Sequence, residues 1–83
     1  MTVNEEVKQI VHRASYMKMR TMAIAHRAQY RRNLAAAEYW EKTKGDIERA
    51  ATHRHFAAIE LRDAGEFDRL ALSYDNRACG VLK

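Results

Sequence analysis

Residues 44–51 read Lys-Gly-Asp-Ile-Glu-Arg-Ala-Ala, and this stretch marks the end of one helix and the start of the next. Glycine just past a helix end adopts the left-handed conformation at little cost, which makes Gly45 a helix stop. Asp46 suits the start of the following helix, where its side chain caps free N–H groups and faces the positive helix end. The stretch therefore predicts a turn between two helices at Gly45.

A similar stretch recurs later in the chain, where Gly65 and Glu66 take the places of Gly45 and Asp46. The recurrence is explained either by a duplicated helical unit or by the same turn chemistry used twice. Both explanations predict a second helix stop at Gly65.

The rest of the chain is typical of helix throughout, because it lacks proline and is rich in alanine and other strong helix formers. We predict an all-α fold in a single domain of residues 1–83, a small helical bundle or hairpin. A long N-terminal amphipathic helix over residues 4–44, capped by Asn4 and either continuous or broken near Asn33, precedes two shorter helices over 46–64 and 66–78. The predicted hairpin core comprises Ile47, Ala50, Ala51, Ala57, Ala58, Leu61, Phe67, Leu70, Ala71 and Tyr74.

Composition limits the functions that the chain can have. With 83 residues, the chain can bury only a thin core, so we do not expect a deep active-site cleft. A single cysteine excludes an internal disulfide and fits a reducing cytoplasm. No apolar run approaches the roughly 18 residues of a membrane span, and no phosphate-binding glycine loop is present. We predict a cytoplasmic protein that is not an enzyme, with no metal, cofactor, small-molecule substrate or membrane partner.

Positive charge is concentrated in the first half of the chain. Residues 7–37 contain seven lysines or arginines and two histidines but no aspartate or glutamate. The remaining residues hold eight basic and eleven acidic side chains, so their net charge is −3. On a helical projection one side of this segment carries the predicted partner-binding residues, which are Lys8, His12, Arg13, Tyr16, Arg20, His26, Arg27, Tyr30 and Arg31.

These residue types favour binding of an acidic partner. Arginine matches phosphate and carboxylate geometry through paired hydrogen bonds, and tyrosine can stack on an unpaired base. We predict a small non-catalytic binding protein that engages nucleic acid or a nucleoprotein complex through this basic face. The alternative is a stoichiometric regulator or inhibitor that binds an acidic protein surface. Accessory proteins of phages and mobile elements, including inhibitors of host defence complexes, have this general character.

The opposite side of the same helix is apolar. This stripe is longer than the shorter helices can cover, and soluble monomers rarely leave such a stripe bare. We therefore predict a homodimer, whose interface residues are Val3, Val7, Ile10, Ala14, Met17, Ile24 and Ala28.

Overall fold

The computed structural model describes the backbone of residues 2–80 and the side chains of residues 2–74. Helix α1 covers Val3–Glu38, a short π-helical turn over Tyr39–Thr43 extends it, and helix α2 covers Ile47–Gly80. The described residues contain no strand. The two helices lie side by side in a hairpin that measures 63 × 16 × 12 Å. The predicted all-α class is confirmed, but the described chain forms two long helices and not three.

The predicted turn at Gly45 is confirmed. Gly45 has a φ of 65°, in the left-handed region that favours glycine. The Asp46 N–H donates to the carbonyl of Trp40 at 2.7 Å, which closes the end of the π-helical turn. The Asp46 carboxylate then accepts from the backbone N–H of Arg49 at 3.0 Å and caps α2. The guanidinium of Arg49 lies 4.4 Å from the centre of the Trp40 ring, which adds a cation–π contact at the turn.

The predicted helix stop at Gly65 is wrong, because α2 continues through it. Gly65 does not adopt a positive φ. Glycine inside a helix costs about 1 kcal/mol relative to alanine, but it does not force the helix to end. Ala64 is buried and Phe67 is half-buried, so contacts on both sides of Gly65 offset this cost. The predicted third helix is therefore the second half of α2.

The N-cap of helix α1 lies two residues before the predicted cap, and the helix has no break. Thr2 caps it: the Thr2 hydroxyl accepts from the Glu5 N–H at 3.2 Å, and the Glu5 carboxylate accepts from the Thr2 N–H at 3.4 Å. Asn4 lies inside the first turn. Asn33 lies within the continuous helix, where its side-chain oxygen is 3.1 Å from Nδ1 of His53. This contact with α2 gives Asn33 a role in packing rather than in capping.

The seam between the helices is built on alanine. The buried side chains of the described residues are Ala23, Ala37, Ala50, Ala57, Ala64 and Ala71. Those on α2 follow each other at intervals of seven, the repeat of a helix–helix seam. Such small side chains let two helices approach closely.

Larger side chains fill the seam between the alanines and show its register. Three cross-helix contacts mark it, and they join Asn33 to His53, His26 to Glu60, and His12 to Tyr74. Each step of seven or fourteen backward along α1 matches an equal step forward along α2. The helices are therefore antiparallel with one constant register.

Half of the predicted hairpin core is wrong. Ala50, Ala57 and Ala71 are buried, and Phe67 and Tyr74 are half-buried, as predicted. The exposed members of the predicted core are Ile47, Ala51, Ala58, Leu61 and Leu70. The physical reason is that α2 turns its alanine row to α1. Its most apolar positions therefore do not coincide with its buried ones.

Candidate partner-binding surfaces on the first helix

The structure divides the nine predicted partner-binding residues between two locations. Four of them are exposed, namely Lys8, Arg13, Arg20 and Arg31. Five are half-buried, namely His12, Tyr16, His26, Arg27 and Tyr30. The aromatic and histidine side chains lie in the heptad positions that face α2. The long cationic side chains lie in the positions that flank the contact between α1 and α2. The predicted single face is therefore part seam and part surface.

The histidines of this set contact α2. Nδ1 of His26 forms a short contact with the Glu60 carboxylate, and the His26 ring stacks on Phe67 with 5.2 Å between ring centroids. His12 lies 6.4 Å from the Tyr74 ring, and its Nδ1 is buried without a hydrogen-bond partner in the described part of the chain. These side chains stabilise the hairpin and leave little polar surface for a partner.

A row of arginines follows one edge of the hairpin. Arg13, Arg20 and Arg27 are seven residues apart, or about 10.5 Å per step along the helix. Arg31 extends the row by one turn. We call these four residues the basic edge, and it lies within the acid-free segment of residues 7–37.

One carboxylate of α2 faces the basic edge. Asp68 accepts a hydrogen bond from Arg20 at 2.8 Å and pairs with Arg27. The hydrogen bond from Arg27, with a smaller contribution from Arg20, lowers the pKa of Asp68, and Asp68 in turn raises the pKa of Arg27. Among the described residues neither Arg13 nor Arg31 forms an ion pair. With one paired carboxylate against four arginines, the described part of the basic edge carries an excess of positive charge.

Asp68 is a neighbour of the basic edge that the sequence analysis does not identify. The sequence feature that could have indicated the position of Asp68 is the alanine repeat of α2. Asp68 lies four residues after Ala64, in the heptad position that flanks an antiparallel seam on the same side as Arg27. The same register joins Arg54 to Glu41 closer to the turn.

The predicted dimer residues lie on the side of α1 that faces away from α2. We call Val3, Val7, Ile10, Ala14, Met17, Ile24 and Ala28 the outer stripe. Val3 is 74% exposed, Ile10 65%, Met17 60% and Ile24 58%. Val11, beside the stripe, is 53% exposed. These apolar side chains of α1 are thus more than half exposed to water in the single chain.

Other chemistry is sparse in the described residues. They contain no group of three or more histidine, cysteine, aspartate or glutamate side chains that could hold a metal ion. A shallow recess of about 250 Å³ is lined by Glu5, Lys8, Gln9 and His12. No helix within the described part of the chain is long and apolar enough to cross a bilayer.

The chain was compared with protein-family models, with curated proteins and with solved structures, and none of the three comparisons gives a match. The residues themselves therefore carry the functional argument.

Proposed function

We propose that this protein is a non-catalytic binding protein whose basic edge engages an acidic partner. The observation that carries the proposal is the row of Arg13, Arg20, Arg27 and Arg31, which pairs with one carboxylate, Asp68, among the side chains of residues 2–74. Local excess of one charge raises the concentration of an oppositely charged partner and speeds its association.

The first candidate partner is the phosphate backbone of nucleic acid. From Arg13 to Arg31 the row extends about 27 Å, which is the rise of about eight base pairs. Guanidinium groups bind phosphate through paired hydrogen bonds. Tyr16 and Tyr30, which were predicted to stack on bases, are half-buried toward α2. Contacts through the basic edge would therefore neutralise phosphates without reading the base sequence.

The second candidate is the stoichiometric regulator or inhibitor that binds an acidic protein. Its supporting observation is the outer stripe, since exposed apolar patches mark protein interaction sites. The stripe lies beside the basic edge on the same helix. An apolar groove with carboxylates on its rim would complement both features.

The test is binding of fluorescent duplex DNA, single-stranded DNA, RNA and poly-glutamate at several salt concentrations. If four arginines contact phosphate, log K against log salt has a slope of about −3.6, since each neutralised phosphate contributes about −0.9. Arg13→Glu with Arg31→Glu is the informative double variant, because neither residue forms an ion pair within the described chain. It should reduce the slope by about two and the affinity at least tenfold.

Arg62→Glu with Arg69→Glu is the matched control, since both residues are exposed on α2. This control should leave the slope unchanged. Equal losses from both double variants would reject the basic edge and leave only net charge. Binding to poly-glutamate without binding to any nucleic acid would favour the protein partner, and binding to none of the four probes would reject the proposal.

A further inference from the structure

The outer stripe is an apolar row that the hairpin leaves exposed. Its side chains lie between Val3 and Ala28 at intervals of three and four, with one interval of seven across Thr21, and α2 packs on the other side of α1. The side of α1 that faces away from α2 therefore has the same residue spacing as the side that packs against α2. To identify what covers the outer stripe, we ask which surface is complementary to it.

The stripe matches itself in one antiparallel register. When Met17 faces Met17 of a second copy, Ile10 faces Ile24, Val7 faces Ala28, and Ala14 faces Thr21. Large pairs then alternate with pairs that include a small residue. The hairpin seam shows the same alternation, with its buried alanines separated by larger side chains.

Thr21 is the polar residue in this register, and it is already satisfied. Its hydroxyl donates to the carbonyl of Met17 at 2.9 Å. The side chain can therefore present its methyl group to Ala14 of a second copy without leaving an unpaired donor. Burial of an unpaired hydroxyl would oppose association.

Attractive and repulsive charge pairs beside the stripe balance in this register, so the apolar match identifies a second copy as the occupant. In the same register Glu6 of one copy faces Arg27 of the other, and the twofold axis forms this pair twice. Lys18 and Arg32 lie at the margin, where long side chains reach water while their stems cover apolar surface. The axis likewise places Arg13 opposite Arg20 of the other copy twice, a repulsive pair at an exposed edge, where charge pairs contribute little.

We propose that a second copy of this chain covers the outer stripe, packed antiparallel along α1 with Met17 on the twofold axis. The interface is isologous, as a twofold axis requires. The stripe adjoins the basic edge, and Arg31, seven residues after Ile24, faces Val3 of the other copy in this register. The register itself is argued from the apolar side chains, so it does not depend on the proposed function. In this arrangement the basic edges of both copies lie side by side, so they form one cationic patch beside the interface between the copies.

Cysteine cross-linking tests the register. In a Cys79→Ser background, Met17→Cys should form a disulfide between two chains, because the axis brings residue 17 of each copy together. Ile10→Cys alone should not cross-link, since the two copies of residue 10 lie about 21 Å apart along the helices. That separation exceeds the roughly 7 Å limit for a disulfide. A mixture of Ile10→Cys and Ile24→Cys chains should cross-link with each other.

Sedimentation equilibrium tests the association itself. The wild-type chain should have the mass of two 9.7-kDa chains, and Ile10→Asp should have the mass of one. Ile47→Asp on α2 is the control, because Ile47 is 70% exposed, and it should remain dimeric. Circular dichroism checks that each variant stays helical.

Two results would overturn the proposal. A wild-type chain that remains monomeric at 100-fold higher concentration than the binding assays use would leave the stripe to a different protein. Strong self-cross-linking of Ile10→Cys would show a parallel arrangement and reject the register. Failure of Arg13→Glu with Arg31→Glu to weaken partner binding would reject the proposed function without affecting either dimer test.

Discussion

The imidazole ring of His26 stacks on the ring of Phe67, with 5.2 Å between centroids and an interplanar angle of 13°. Nδ1 of the same imidazole contacts the Glu60 carboxylate. His26 of α1 thus contacts both an aromatic ring and a carboxylate of α2 in the middle of the interface between the helices. The alanines around it bury little area, so contacts of this kind contribute a large share of the specific interaction between the helices.

The first prediction concerns this contact. His26→Ala removes the stack on Phe67 and leaves the half-buried Glu60 carboxylate without its partner. We expect the free energy of unfolding to fall by about 2 kcal/mol, since a lost partner for a buried polar group costs about 1–3 kcal/mol. Urea denaturation followed by circular dichroism measures the change.

His55→Ala is the control for that variant, because His55 is exposed on α2. Its effect should stay within about 0.5 kcal/mol. Adding Glu60→Ala to His26→Ala should recover part of the loss, since the orphaned carboxylate is then gone. Equal effects of His26→Ala and His55→Ala would contradict a structural role for His26.

The second prediction concerns the acid stability of the hairpin. The folded state lowers the pKa of Asp68 through the hydrogen bond from Arg27. A group with a lowered pKa stabilises the folded state fully above its unfolded pKa, and this contribution is lost as the pH falls through the folded value. Stability should therefore decline below about pH 4, the ordinary range of an aspartate. Asp68→Asn should show a shallower decline over the same interval.

Arg27→Met is the matched variant for Asp68→Asn, because it removes the hydrogen bond that contributes most to the lowered pKa of Asp68. It should make the acid decline shallower in the same way. Denaturant midpoints measured from pH 2 to pH 7 report both slopes. An unchanged slope in Asp68→Asn would show that other carboxylates cause the acid sensitivity.

The third prediction separates the two glycines that the sequence makes look alike. A Cβ at Gly65 would meet no atom within 4 Å, and the backbone there is helical. Gly65→Ala should therefore raise the free energy of unfolding by about 1 kcal/mol, through helix propensity. Gly45→Ala should lower it, because the φ of 65° strains any residue with a Cβ. Thermal and urea denaturation of the two variants would give shifts of opposite sign. A loss of stability in Gly65→Ala would support the helix stop that the sequence predicts.

The fold could be predicted from the sequence only in part. Gly45 is recognisable because a left-handed residue followed by an N-cap has a distinctive local chemistry. Gly65 shares the same letters, but the contacts of its neighbours with α1 decide its conformation, and such contacts are not visible in a local pattern. The heptad of alanines on α2, from Ala50 to Ala71, is the signal that would have revealed the seam.

The candidate surfaces were predictable to a different extent. The charge of Arg13 and Arg31 predicts their exposure correctly, but the same charge does not keep Arg27 from being half-buried. The helical projection groups Tyr16 and Tyr30 with the arginines because it ranks faces by polarity, and in this hairpin the more polar face packs against α2. The pairing of Asp68 with Arg20 and Arg27 depends on how α1 and α2 align. The acid-free segment could not show it, since the acid lies on the other helix.

The last prediction tests which face of α2 packs against α1. Ala57 is 1% exposed in the seam, whereas Leu61, which the pattern assigned to the core, is 47% exposed. Ala57→Leu should lower the free energy of unfolding by about 1–3 kcal/mol, because extra atoms in a packed seam push the helices apart. Leu61→Ala should cost less than about 1 kcal/mol, compared with about 2–5 kcal/mol for a leucine in a closed core. Urea denaturation at a fixed protein concentration measures both. If Leu61→Ala were the more damaging change, α2 would be rotated about its axis relative to this structure, and the alanine row would face water.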